Sequence, residues 1–546
     1  MQEQTASEAF RLELEYEDTS KLEKNVPSDP IRPAANNPAT RRFVVTSERV
    51  APTELSFKGM TLYCPPRQIK RWDEDEIEQK VDWGNLFFDL FFVAATYNVS
   101  YILTSDPYRN GFLYAVGTFF PVMGFWERKA AIHCRFNVED DILHRILKAI
   151  ELLVLATAVL HIRPKKYMSD LKNDFSMFGF ALSMTISRIL YLLQNMELYY
   201  FAVGQRQAIQ QAAKGLFSRY LLIETTFFAA ATILAGYHYY LDDDDGSLSK
   251  SANESYAYNS SYHRDLAAVE ESNTTTDESS YIIDAPIWLM LAGHVASVLC
   301  MQITILFCFP ADGRHKEFNV PMHIDFYMHR NGEWTMLMLG ESIVSLLIVD
   351  VSNESKEFYT TFLFGVLSVI FLYFLHFASQ PYHANQHALR RSKNTGIVWG
   401  ALQQIYSMAL VTLGAVFTLY LAYLGAEDGS EVSADFYEIR DQANRLFCIA
   451  LGTIFATLDL MTLLHLGSKG ISDRCKCKDT KNIRIAPIIF GLVRVAFLGF
   501  TFTMNQWEAN PRNLSVIAAF NILVQLFFRH LGDKFGQGIS SFHADH

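Results

Sequence analysis

Long charge-poor stretches decide what this chain can become. They run at 86–104, 111–126, 146–162, 175–193, 217–240, 285–309, 334–349, 358–378, 397–424, 446–466, 486–505 and 514–529, and dense polar segments separate them. A helix needs about 20 residues to cross the hydrocarbon core of a bilayer, with about 17 as the usual lower limit. Those at 111–126, 146–162, 334–349 and 514–529 are marginal and suffice only with flanking Trp, Tyr, Lys and Arg in the interface. Lipid offers no partner to backbone N–H and C=O groups, so such spans must close their hydrogen bonds internally, as helices. The sequence predicts an all-α polytopic membrane protein of about twelve transmembrane helices, give or take one.

Composition agrees. Half of the 546 residues are hydrophobic and 19 % are charged. The net charge of -11 collects largely in the first 30 residues and in 242–278, so no basic face is offered to nucleic acid. The chain has no C-x-x-C pair and no disulfide framework among its 7 cysteines. It has no P-loop, no G-x-G-x-x-G and no G-x-S-x-G. The expectation is a non-enzyme without cofactor or metal. His383 and His387, with His376 upstream, have metal-ligand spacing, but no third ligand follows at firm spacing, and they read as part of a basic loop.

Four segments follow. Residues 1–80 form an acidic, mostly disordered tail with a short ordered stretch near 55–63. Residues 81–309 and 310–531 hold six spans each, and 532–546 close the chain. No cleavable signal peptide is visible, so the first span directs insertion. With the tail inside, the Lys- and Arg-rich loops 127–145, 312–330, 380–393 and 468–484 are cytosolic, as the charge bias of membrane loops requires; 163–174 alone dissents. Glycosylation acceptors at Asn253, Asn259, Asn273, Asn353 and Asn513 then share the opposite side. The three acceptors in loop 242–284 make it the glycosylatable one. The expectation is a eukaryotic multi-pass protein of the plasma membrane or an endomembrane, with both termini cytosolic.

Ionisable groups inside spans are costly and mark function or structural pairing. Here they are Asp89, Arg188, Glu224, Glu341, Asp459 and Arg494, joined by His294 and His376. Lys148, Glu151 and His465 sit near span ends and read as snorkelling side chains. Four acids face two arginines, so pairing cannot neutralise all of them. Pairing of Asp89 with Arg188, and of Glu341 or Asp459 with Arg494, is one reading. An ion- or proton-binding role for Glu341 is the other. Gly340 and Ser342 flank Glu341: a small residue permits close helix approach, and the hydroxyl can hydrogen-bond across helices. His323 and His329 precede this stretch at a membrane boundary, where an interfacial polar role is expected.

Three blocks carry a resemblance. Trp83-Gly84-Asn85-Leu86-Phe87-Phe88-Asp89-Leu90-Phe91-Phe92-Val93 resembles the first-helix signature of the low temperature requirement A family. Trp126 with Arg135-Phe136-Asn137-Val138-Glu139-Asp140-Asp141 and Arg145 is the second block. His329-Arg330-Asn331-Gly332-Glu333-Trp334 with Leu339-Gly340-Glu341-Ser342 is the third. Arg188 also fits the pattern, and the resemblance covers about 83–530. Bacterial members carry Glu where Asn85 stands, so that carboxylate is missing. The family is distantly similar to endolysosomal potassium channels built from a doubled six-helix unit. That resemblance implies two parallel six-helix halves, with Asp89 and Glu341 at matched positions.

The functional expectation is a cation or proton channel or transporter. Asp89, Glu341, Ser342, Glu224 and Asp459 would line the pathway, and Arg188 and Arg494 would be charge partners. Its partners would be membrane lipid and a small inorganic cation or proton, with a homodimer left open. The alternative is a non-transporting membrane sensor or scaffold in a stress response, using the acidic tail as a partner-binding surface.

Overall fold

A computed structural model describes residues 55–57, 60–69, 83–138, 141–216, 221–240, 284–307, 320–349, 355–381, 386–426, 434–475 and 485–537. Residues 1–54, most of 242–284, His383, Asn253, Asn259, Asn273 and Asn353 lie outside them. The described part is dominated by long helices, and each apolar stretch falls within or largely within one. They are α1 (Trp83–Ser105), α2 (Arg109–His133), α3 (Ile142–Leu160), α4 (Ser176–Phe201), α5 (Leu222–Tyr240), α6 (Ala285–Phe307), α7 (Ile324–Ile348), α8 (Lys356–Ser379), α9 (Lys393–Ala426), α10 (Ala434–Cys475), α11 (Ile485–Trp507) and α12 (Pro511–Gln537). Eight of the described helices are long and apolar enough to cross a membrane, namely α1, α4, α6 and α8 to α12. The chain is therefore a multi-pass integral membrane protein.

Helix ends explain why the marginal stretches gained length. Helix α7 starts ten residues before its apolar run, at a cap where His323 Nδ1 accepts from Phe326 N at 3.1 Å. That cap gives His323 a structural task and turns Arg330 and Glu333 from loop residues into helix residues. Asp141 caps α3 by accepting from His144 N at 2.8 Å, and Ser355 caps α8 by accepting from Phe358 N at 3.1 Å. Helix α2 runs through Pro121, which donates no N–H, and continues past its apolar run to His133.

The all-α expectation needs one amendment, because four short strands lie outside the bundle. β1 (Leu55–Phe57) and β2 (Met60–Tyr63) form an antiparallel hairpin at the stretch expected to be ordered. β3 (Arg67–Gln68) pairs antiparallel with β4 (Phe136–Asn137) after α2.

The helices pack in a repeating order. In the first six, α1 packs on α2 and α3, α2 on α6, α3 on α4, α4 on α5 and α5 on α6. In the second six, α7 packs on α8 and α9, α8 on α12, α9 on α10, α10 on α11 and α11 on α12. The seam between the sets is one-sided: α1 lies against both α7 and α9, and α2 and α6 also touch α9. Helix α9 is accordingly the most enclosed span, 83 % buried, while α11 is 11 % buried and turns its side chains outward. In lipid, close packing and interhelical hydrogen bonds hold such helices together, because lipid tails are as apolar as the side chains.

Candidate functional site

Helices α1, α7 and α9 enclose Glu341, whose side chain is fully buried. Ser345, one turn on, donates to its Oε1 at 2.5 Å. Ser100 of α1 lies beside it, and Oε2 has no hydrogen-bond partner among the described residues. Among the described residues no cation pairs with this carboxylate; of the two acids expected to meet Arg494, it is Asp459 that does. Close approach of α9 comes from Gly414, not Gly340. A Cβ at Gly414 would lie 2.6 Å from Glu341 Oε2 and 3.0 Å from Ser342 Cα, whereas Gly340 faces open space. Ser342 does bridge helices as expected, with its hydroxyl 3.4 Å from Leu410 O of α9 and 3.3 Å from Met338 O.

Eleven residues earlier on α7, Arg330 meets Asp89 of α1. Its guanidinium donates to both carboxylate oxygens, at 2.7 and 2.9 Å, and to Glu333 at 2.6 Å. The indole of Trp126 donates to Asp89 Oδ1 at 3.0 Å. The pair is buried, and such two-pronged charge-assisted geometry is the strong kind. Asp89 therefore pairs with Arg330, not with Arg188. Asp89 and Glu341 are also not level: eleven residues of helix separate Arg330 from Glu341, about 16 Å. Ser100 stands level with Glu341, eleven residues beyond Asp89, so α1 and α7 run parallel at a constant offset.

An aromatic layer fills the gap. Trp126 and Trp334 have ring centroids 4.5 Å apart, and Phe92 meets Trp334 at 5.6 Å. Trp334 Nε1 donates to Ser407 of α9 at 2.9 Å. On the other side of Glu341 the seam opens. A narrow cleft of about 20 Å³ is lined by Tyr97, Ser100, Tyr101, Thr104, Ser345 and Thr418, with Ile348 and Val349. Six of its eight lining residues carry hydroxyls, and Ser345 is the residue that donates to Glu341. The seam thus runs from a narrow, largely apolar cleft, through a carboxylate that faces hydroxyls, to an aromatic layer and a closed ion pair.

The other charged groups form two separate clusters. Glu224 of α5 has Arg188 Nε of α4 at 3.2 Å, His294 Nδ1 of α6 at 3.5 Å and Arg128 of α2 in direct contact. Arg188 also donates to Pro121 O at 2.8 Å. Asp459 of α10 contacts Arg494 of α11 and has Arg529 of α12 at 3.8 Å. These belong to the bundle walls and do not reach the cleft. Two side chains expected to snorkel are instead enclosed. Glu151 is buried, with Lys129 Nζ at 2.6 Å and Gln194 in contact, and His465 is buried with Nδ1 accepting from Ala388 N at 3.0 Å. Asn513 lies in the first turn of α12 with its amide 3.1 Å from Glu508.

Arg330, Glu333, Arg128 and Arg529 escaped the sequence reading of intramembrane charge. Arg330, Trp334 and Glu341 at i, i+4 and i+11 share a helix face, a spacing that betrays them once α7 starts at Ile324.

Comparison with known proteins meets the chain in its second half. The family model described as bacterial low temperature requirement A protein matches residues 275–525. Over these residues the chain is similar to the low temperature requirement A family. No curated protein and no solved structure matches the chain. The matched part runs from before α6 into α12 and contains Arg330, Trp334 and Glu341. The low temperature requirement A match therefore includes α7 and α9 of the seam, while α1 with Asp89 precedes it.

Proposed function

We propose that this chain passes protons or small cations across a membrane along the seam of α1, α7 and α9, with Glu341 as the binding carboxylate. One observation carries the reading. Asp89, Glu224 and Asp459 each meet an arginine, while Glu341 meets hydroxyls, and two of these, Ser345 and Ser100, also line a narrow cleft. A lone carboxylate in a low-dielectric setting is expensive unless it takes up a proton or a cation. Hydroxyls can hand such a species from the cleft to the acid. Asp89 and Arg330 hold the far side of the aromatic layer closed.

The same proposal takes the molecule as twelve spans in two parallel six-helix halves. The recurring packing order, α1 to α6 and again α7 to α12, supports it. Lys- and Arg-rich loops and acceptor asparagines support cytosolic termini in a eukaryotic membrane, with the cleft on the opposite face. The test is ion and proton flux into liposomes holding the purified full chain. Wild type is expected to conduct, and Glu341→Gln to lower the flux by roughly tenfold or more. Absence of flux for every cation tested, from folded protein, overturns the proposal. Equal flux in the variant removes Glu341 from the path.

A further inference from the structure

A second unexplained cluster lies away from the seam, where a short helix, Ala388–Arg391, joins α8 to α9. Ala388 N donates to His465 Nδ1 at 3.0 Å, and Leu389 N donates to His387 Nδ1 at 3.2 Å. The two imidazole centroids are 4.6 Å apart. The ring of Trp399 is 4.7 Å from His387 and 6.4 Å from His465. All three side chains are enclosed, at 0 %, 5 % and 2 % exposure for His387, His465 and Trp399.

A ring nitrogen that accepts an N–H bears no proton, so each neutral imidazole here carries its proton on Nε2. Burial holds the His387 pKa down at about 4, which keeps that ring neutral at pH 7. Among the described residues, His387 Nε2, His465 Nε2 and Trp399 Nε1 all lack a hydrogen-bond partner. Three buried donors on neighbouring rings therefore have no acceptor among the described residues, each at the cost of its lost hydration. A metal does not fit, because a protonated Nε2 has no lone pair to give. A single water fits less well, since it accepts about two hydrogen bonds and these three groups offer no acceptor for its own protons. A monatomic anion accepts several hydrogen bonds at once and donates none, which suits a group of donors. The charges acting on His465 besides the neighbouring imidazole, from Arg391 and Arg529, are cationic. Arg391 approaches closely because Gly467, at φ +63°, has no side chain to block its guanidinium.

We propose that His387, His465 and Trp399 form a closed site for one chloride-sized halide ion, which ties the 388–391 turn to α9 and α10. The site is independent of the seam, and it stands or falls without the transport reading. The test compares thermal unfolding of the purified full chain in chloride, bromide and gluconate at fixed ionic strength and pH 7.5. The midpoint is expected to rise saturably, by about 2 °C, with either halide. Trp399→Phe keeps the ring and removes one donor, and it should lose most of that rise. A wild-type midpoint equal in chloride and gluconate overturns the proposal, as does a halide response that Trp399→Phe leaves intact. Should that variant not fold, crystals of wild type grown in bromide decide. Anomalous density among the three nitrogens supports the site, and an ordered water there, or nothing, overturns it.

Discussion

Glu224 and Glu341 are equally sealed from their surroundings, and their neighbourhoods are opposites. Glu224 sits among Arg128, Arg188 and His294. Glu341 has Ser345 at 2.5 Å, Ser100 nearby and one oxygen without a partner. A carboxylate facing two guanidiniums is pinned in its charged form and serves to hold α2, α4, α5 and α6 together. A carboxylate among hydroxyls is free to exchange what it binds. Burial alone therefore does not distinguish the two carboxylates; the presence of a counter-charge does.

Removing the charge separates the two cases. Glu224→Gln leaves two arginines uncompensated inside the bundle and should destabilise by roughly 3–5 kcal/mol, the range for breaking a buried ion pair. Glu341→Gln keeps a hydrogen-bonding side chain of the same shape and strands no opposite charge, so its cost should stay below about 1 kcal/mol. Thermal unfolding in detergent checks both. Equal losses would show that Glu341 is structural and would erase the contrast.

Asp459 sharpens the comparison from the other half. Helices α4 and α5 carry Arg188 and Glu224, and α10 and α11, which hold the same places in the packing order, carry Asp459 and Arg494 with the signs exchanged. The Asp459 side chain is 20 % exposed, whereas that of Glu224 is fully buried. Partial exposure weakens the pair and softens its loss. Asp459→Asn should therefore cost about 1–2 kcal/mol, clearly less than Glu224→Gln. A larger loss at Asp459 would mean that the second cluster is the better-enclosed one.

Much of this was legible in the sequence and some was not. Each apolar stretch forecast a long helix among the described residues, eight of them long and apolar enough to cross a membrane, because hydropathy in lipid is a strong constraint on backbone form. The four intramembrane acids were also visible. Their partners were not, since pairing depends on helix rotation and depth, which apolar runs leave open. Arg330 looked like a loop residue because α7 begins ten residues ahead of its apolar run. Gly340 looked like the close-approach glycine because it neighbours Glu341 in sequence, whereas Gly414 neighbours it in space.

Gly414 gives a milder way to probe the seam. A methyl group there would fall 2.6 Å from Glu341 Oε2, an atom at the end of a flexible side chain. Gly414→Ala should displace the carboxylate at a cost of about 1 kcal/mol while changing flux far more than stability. Unchanged flux would show that the position of the carboxylate is unimportant and would weaken the contrast with the pinned Glu224.

The smallest effect expected lies outside the apolar run of α3, where a histidine has the counter-charges that Glu341 lacks. His144 Nδ1 is 2.7 Å from Asp141 and Nε2 is 2.9 Å from Glu197, and the Tyr63 ring stacks on it at 5.7 Å. Burial by itself lowers the His144 pKa, but the hydrogen bonds and charges of Glu197 and Asp141 outweigh it and raise the pKa above its usual value. A raised pKa contributes stability that is full below the unfolded-state value and is lost as pH climbs through the folded-state value. The β1–β2 hairpin should therefore hold to α3 most firmly below about pH 6.5 and loosen above it. Hydrogen exchange at Tyr63 and Cys64, whose N–H donates to Asp141 at 2.6 Å, should speed up several-fold between pH 6 and 9 after correction for intrinsic rates. His144→Gln should flatten that dependence. A profile that is flat in wild type would show that the two carboxylates do not hold a proton on His144, and that a paired site can be as indifferent to pH as the apolar core.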